Sequence, residues 1–218
     1  MHKIIDNLEG IKNKLKQLKL ENYQNLKIIA VSKTFSLNSI LPLIEYGHDH
    51  FGENKVQEAL EKWPKIKESY PNLKLHMVGK IQSNKVKFLL PVFDYLHSLD
   101  SLKIAEKISL EEKKKNKKLK IFIQINIGNE TQKSGINIED LEQFYLTCVN
   151  EFNLNIVGLM CLPPSSSDPT KYFKLLKEIS VKINLKELSM GMSNDYLYAA
   201  QCGATYLRIG SKIFGERS

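Results

Sequence analysis

Eight short runs that read as strands, each followed by a stretch with helical spacing, divide this chain almost from end to end. The runs fall at 28–31, 48–51, 73–78, 93–97, 121–127, 156–160, 187–190 and 206–209. A short unbroken apolar run suits a strand buried on both faces, the condition of a parallel sheet covered by helices. The intervening segments predict helices over 36–46, 55–68, a stretch ending at Leu90, 101–117, 138–151, 170–183 and 194–202, with a last one starting at Ser211. Strict alternation with few residues to spare describes a parallel sheet whose ends meet, a (β/α)8 TIM barrel of class α/β. Ile4, Ile5, Leu8, Ile11, Leu15 and Leu18 add an extra amphipathic helix at the N-terminus, over 4–20. A doubly wound open sheet is the competing topology. No low-complexity linker interrupts the 218 residues, so residues 1–218 are expected to form a single domain.

Composition narrows the function more by exclusion than by indication. The formal charge of +8 invites an anionic partner, but the lysines are spread along the chain. Their densest cluster, Lys113 to Lys118, has no interleaved aromatic residues and reads as a solvated helix end, so no nucleic acid is expected as a partner. Cys148, Cys161 and Cys202 stand at unrelated spacings, which suits thiols in a reducing compartment, and no metal-ligand spacing occurs. No apolar run reaches the roughly 18 residues that span a membrane, and the N-terminus lacks the plan of a signal peptide. The expectation is a soluble, cytoplasmic protein without a membrane partner.

The chemistry concentrates at the predicted strand ends. Ile28-Ile29-Ala30-Val31 runs into Ser32-Lys33, which puts Lys33 at the carboxyl edge of the first strand, where α/β proteins build their sites. A partly desolvated lysine there can lose its proton and form a Schiff base, whereas its plain alternative is a solvated surface amine. The loops after strands seven and eight, where such barrels commonly hold phosphate, are Ser189 to Asn194 and Arg208 to Ser211. Each carries a glycine and a serine just before a helix. Ser193 and Ser211 are therefore candidates to cap their helices while neighbouring N–H groups face an anion, or to be caps and nothing more. Arg208 is either a salt-bridge partner or a permanently charged donor aimed at a ring acceptor. Asn54, His76, Gln82 and Asn126 are further polar groups near strand ends, and His76 takes no role from its type alone. A strand-end lysine facing two phosphate-ready loops is the constellation of a pyridoxal 5'-phosphate (PLP) site.

The runs Ala30 to Thr34, Phe51-Gly52-Glu53-Asn54, Gly79 to Lys85, Lys133-Ser134-Gly135, Gly158-Leu159-Met160, Leu188 to Ser193, Arg208 to Ser211 and Ile213-Phe214-Gly215 together resemble the YggS/PROSC family of PLP homeostasis proteins, relatives of the N-terminal barrel of alanine racemase. The resemblance extends from the first strand to Arg217. It implies a barrel in which Lys33 carries PLP, the vitamin B6 cofactor, as an internal aldimine. It also implies that Ser193, Gly210 and Ser211 hold the phosphate, that Arg208 faces the pyridine nitrogen, and that Asn54 and Met160 line the pocket. Lys55, where an aromatic is common, and Leu75, where tryptophan often precedes the histidine, depart from the family pattern at pocket edges. An arginine at the ring nitrogen gives up no proton, so the ring stays a weak electron sink and carbanion chemistry is poorly supported. The resemblance thus implies a monomeric protein that binds and releases PLP, keeps the free aldehyde scarce and supplies PLP-dependent apo-enzymes, with no residue assigned to catalysis. The alternative is a PLP-dependent amino-acid racemase. That reaction needs an acid/base on each face of the α-carbon, and this chain ends almost as soon as its barrel closes.

Overall fold

Eight parallel strands close on themselves. The computed structural model describes residues 2–130, 132–165 and 167–216; Thr131 and Ser166, each within a polar loop of the sequence, and Arg217, where the resemblance ends, lie outside these residues. The strands are β1 (Lys27–Val31), β2 (His50–Glu53), β3 (Lys74–Met77), β4 (Tyr95–Leu99), β5 (Lys120–Ile125), β6 (Ile156–Cys161), β7 (Glu187–Met192) and β8 (Tyr206–Ile209), paired in chain order. β8 pairs with β1, with Ile28 opposite Leu207 and Ala30 opposite Ile209. That pairing closes the barrel and excludes the open sheet.

Helices α1 (Lys3–Gln17), α2 (Leu37–Glu45), α3 (Val56–Lys62), α4 (Pro64–Ser69), α5 (Leu89–Val92), α6 (Leu102–Lys115), α7 (Leu141–Leu146), α8 (Pro169–Lys182), α9 (Tyr196–Gln201) and α10 (Ser211–Phe214) occupy the connections. The helix expected over 55–68 is two, because Pro64 has no N–H to continue α3 and its ring is preset for the first turn of α4. The helix expected over 138–151 begins as a 3-10 turn and ends as a π-helical segment, Thr147–Glu151. α2 stops where expected, at Gly47, whose φ of 95° reverses the chain at no steric cost. α1 buries Ile4, Leu8, Ile11 and Leu15 and is tied to the end of the chain by Asn7, which donates to the Ile213 carbonyl at 2.9 Å. No helix among the described residues is long and apolar enough to cross a membrane.

Alternation along each strand sorts the core into two layers. Ala30, Phe51, Leu75, Leu96, Ile121, Ile123, Leu159, Leu188 and Leu207 face outward into the packing with the helices. Ile29, Val31, Tyr95, Phe122, Met160 and Tyr206 face inward and form a second cluster inside the barrel. The interior is not wholly apolar: His50, His76, His97, Ser189 and Arg208 are buried as well. Strands two and four begin two residues later than the stretches 48–51 and 93–97 suggest.

Buried imidazoles make the fold acid-sensitive. His48 donates to the His50 carbonyl at 2.9 Å, and its burial lowers its pKa from 6.5 to about 4. Desolvation also pushes His76 and His97 well below the ordinary range. An imidazole that stays neutral when folded but charges when unfolded gives the unfolded chain more protons between those two pH values. Stability is therefore full above about pH 6.5 and falls as pH drops toward 4, with His48 alone contributing about 3 kcal/mol. Urea midpoints measured from pH 8 to pH 4 are expected to stay level and then decline through that window.

Candidate functional site

β1 ends at Val31, so Lys33 lies not in the strand but in the turn that follows it, half-buried. This turn is held by a charged cluster beneath it. Glu53, fully buried at the end of β2, accepts through Oε1 from Ser32 Oγ at 2.8 Å, Lys62 Nζ at 2.9 Å and Trp63 Nε1 at 3.0 Å. Lys62 Nζ also reaches the Ser32 carbonyl at 3.1 Å, the Phe35 carbonyl at 3.0 Å and Glu58 Oε1 at 2.9 Å. Glu58 in turn accepts from the Thr34 N–H at 2.6 Å. Thr34 has φ of 69°, a conformation a β-branched residue adopts only when its surroundings dictate it. Burial pushes the Glu53 carboxyl above the ordinary carboxylate range, against the pull of Lys62, Trp63 and Ser32. The end of β2, helix α3 and Trp63 after it thus converge on the backbone either side of Lys33.

Opposite β1, the mouth is built by the ends of β7 and β8. Gly191 has φ of 88°, and an added Cβ would come within 2.4 Å of the Ala199 Cβ, so α9 can lie against this turn only because the residue is glycine. Ser193 follows, but it does not cap α9. The residue preceding that helix is Asp195, whose Oδ1 accepts from the Met192 N–H at 2.5 Å. Ser193 Oγ instead accepts from the Lys212 N–H at 3.4 Å, which joins the two turns. Ser211 is likewise the first residue of α10 rather than its cap, a position held by Gly210. Arg208 is buried in β8. Its Nη1 donates to Ser189 Oγ at 2.6 Å and its Nη2 to the Cys161 carbonyl at 2.9 Å, and desolvation lowers its pKa.

Lys33, Ser193, Arg208, Gly210 and Ser211 all line one cavity of about 670 Å³, with Pro163, Pro164, Asp195 and Tyr198 among its other walls. Met160 lies inside the barrel, packed with Val31 and Phe122. Asn54 is not part of this lining; its Oδ1 is buried without a hydrogen-bond partner among the described residues. His76 is fully buried in the barrel interior, Gln82 is exposed, and Asn126 holds the loop after β5 through Glu130. Glu53, Lys62, Ser189, His50 and His97 carry much of the arrangement and are not evident from strand-end position. Among the described residues no cluster of His, Cys, Asp and Glu could hold a metal ion.

The donors present fit a phosphorylated aromatic aldehyde. An amine, a permanently charged guanidinium and two hydroxyl-bearing turns share one cavity, and each matches one polar group of such a molecule. A family model described as alanine racemase, N-terminal domain, matches residues 6–218. A pyridoxal phosphate homeostasis protein of Haemophilus influenzae is 35% identical over 207 residues, covering 90% of this chain and 87% of that protein. PipY of Synechococcus elongatus, solved with PLP bound, superposes with a TM-score of 0.83 at 30% identity, covering 94% of this chain and all of that one. Alanine racemase of Clostridium difficile shares the fold, with a TM-score of 0.75 at 16% identity over 100% of this chain and 56% of that one. The chain belongs to the YggS/PROSC family of pyridoxal phosphate homeostasis proteins.

Proposed function

We propose that this protein binds and releases PLP in the cavity at the barrel mouth, keeping the reactive aldehyde scarce and making it available to PLP-dependent apo-enzymes. The observation that carries the reading is the joint lining of one cavity by Lys33, Arg208, Ser193, Gly210 and Ser211. Lys33 supplies the amine for the aldehyde, the Ser193 and Gly210-Ser211 turns take the phosphate, and Arg208 faces the ring nitrogen. Asn54 and Met160, which the resemblance implies as pocket residues, lie outside that lining. When bound, the cofactor supplies an aldehyde for amines and an electron-withdrawing ring. Arg208 donates hydrogen bonds to that ring but no proton, which supports holding the cofactor over carbanion chemistry. The names of the relatives and the PLP in PipY support the same reading. Racemisation would need a second acid/base opposite Lys33. Among the described cavity residues Asp195 and Tyr198 are the other groups able to exchange a proton, and Asp195 Oδ1 is engaged by the Met192 N–H.

Protein loaded with PLP is expected to be yellow, and borohydride reduction followed by peptide mapping is expected to place the adduct on Lys33. An adduct on any other lysine would reject the site. Ser193→Ala combined with Ser211→Ala is expected to weaken PLP retention roughly tenfold, the scale of losing hydrogen bonds to a charged group. The colour would survive, because the amine is untouched. Equilibrium dialysis measures the loss; unchanged retention would reduce both serines to turn residues.

A further inference from the structure

A file of hydrogen-bonded side chains from five strands crosses the barrel interior. Arg208 Nη1 donates to Ser189 Oγ at 2.6 Å, and Ser189 Oγ lies 2.7 Å from His97 Nδ1. His97 Nε2 lies 2.9 Å from His76 Nδ1, and His76 Nε2 lies 2.8 Å from His50 Nδ1. His50 Nε2 ends the file 3.9 Å from Asp49 Oδ1. His50 opens β2, at the end of the barrel opposite the mouth, where it lines a second cavity of about 300 Å³ with Lys12, Tyr23, Tyr46, His48 and Asp49. Two of the imidazoles are clamped in plane. His76 stacks on Tyr95 at 4.1 Å and 18°, and His97 on Phe122 at 4.3 Å and 16°.

Donor counting fixes the direction of the file. A guanidinium only donates, so Ser189 Oγ accepts on that side. Were His97 Nδ1 to donate as well, the Ser189 proton would need a further acceptor, and among the described residues none is bonded to it. The reversed file would also turn a lone pair of His50 toward the Asp49 carboxylate. Both ends select one order: Ser189 O–H into His97, His97 Nε2–H into His76, His76 Nε2–H into His50, and His50 Nε2–H toward Asp49. Each ring is then neutral with its proton on Nε2. In that order an imidazolium at His76 or His50 would set N–H against N–H, one at His97 would set N–H against the Ser189 O–H, and burial of His76 and His97 disfavours it further.

We propose that Ser189, His97, His76 and His50 are positioning residues whose one-directional hydrogen-bond file fixes the Arg208 guanidinium in the cavity wall. Arg208 is then held by two acceptors, Ser189 Oγ and the Cys161 carbonyl, in the wall of the cavity. The consequence at the ring nitrogen rests on the PLP reading; the file itself does not. Long-range proton–nitrogen spectra of imidazole-labelled protein without cofactor, at pH 7.5, are expected to show His50, His76 and His97 neutral and protonated on Nε2. An Nδ1-protonated or charged His76 or His97 would overturn the file. Ser189→Ala is expected to give His97 a mixture of tautomers, to raise the PLP dissociation constant roughly tenfold and to move the absorption maximum of the bound cofactor. His97→Leu should match it, whereas His97→Asn, which returns an acceptor for Ser189, should stay close to the parent. Equal loss in both His97 variants, or unchanged affinity and spectrum in Ser189→Ala, would overturn the positioning role. Failure of the parent protein to take up PLP would sink the cofactor reading, and the tautomer spectra would still decide the file.

Discussion

Lys33→Ala is expected to leave a folded protein that PLP no longer colours. The side chain sits in a turn outside β1 and is half-buried, so truncating it removes no core packing, and the melting temperature should hold within a few degrees. What goes is the covalent link. Ser193, Ser211 and Arg208 still line the cavity in the variant and can hold the phosphate and ring by hydrogen bonds alone. The dissociation constant should rise on the order of 100-fold, and borohydride should fix no cofactor to the chain. Absorption spectroscopy with equilibrium dialysis separates these two losses. Retained colour with borohydride-fixed cofactor would mean that another of the chain's lysines is the amine. Unchanged dialysis affinity without colour would mean that the phosphate turns carry nearly all the binding.

The barrel was legible in the sequence because apolar runs and helical stretches alternate without a break, and β8 in particular lies where its run predicts. Boundaries were less legible where the stretch is itself partly polar. The stretches at 48–51 and 93–97 hold His48, Asp49, His50, Asp94 and His97, so hydrophobicity marks no edge there, and the strands begin two residues later than expected. Lys33, Ser193, Arg208, Gly210 and Ser211 were found because residues at parallel strand ends all face one mouth. The roles of the serine hydroxyls were not, since cap residues are named by local position whereas Ser193 bonds an N–H in the next unit of the barrel. The residues beneath the mouth were missed for a related reason. Glu53 and Lys62 meet through a helix that folds back on its own strand, and Ser189, His97, His76 and His50 meet across the barrel axis. One signal was present: a histidine at an inward position in three consecutive strands, within otherwise apolar surroundings, is a pattern no solvated surface requires.

Removing the cation beneath Lys33 is expected to be the most destabilising single change at the site. The Lys62 side chain is 8% exposed and the Glu53 side chain 0%. Lys62 Nζ has four oxygens in hydrogen-bond range for three protons, two of them carbonyls of the Lys33 turn. Glu53 Oε2 already lacks a partner among the described residues, so the carboxylate depends on what reaches Oε1. In Lys62→Met only the neutral donors Ser32 and Trp63 remain there, leaving a buried anion without its counter-charge at a cost of about 3–5 kcal/mol. Protonation of Glu53 would relieve part of that cost, so the variant's deficit relative to the parent should shrink as pH falls, superposed on the decline that the buried histidines impose on both proteins. Glu53→Gln combined with Lys62→Met removes both charges and should recover more than half of the loss, because the strain lies in the unpaired charge rather than in missing packing. PLP retention should stay weakened in the single and the double variant alike, since both lose the amine that ties the Ser32 and Phe35 carbonyls on either side of Lys33. Urea unfolding of the three proteins, read beside dialysis of PLP, checks both halves; a single variant that loses less than about 1 kcal/mol would show that Glu53 needs no buried partner.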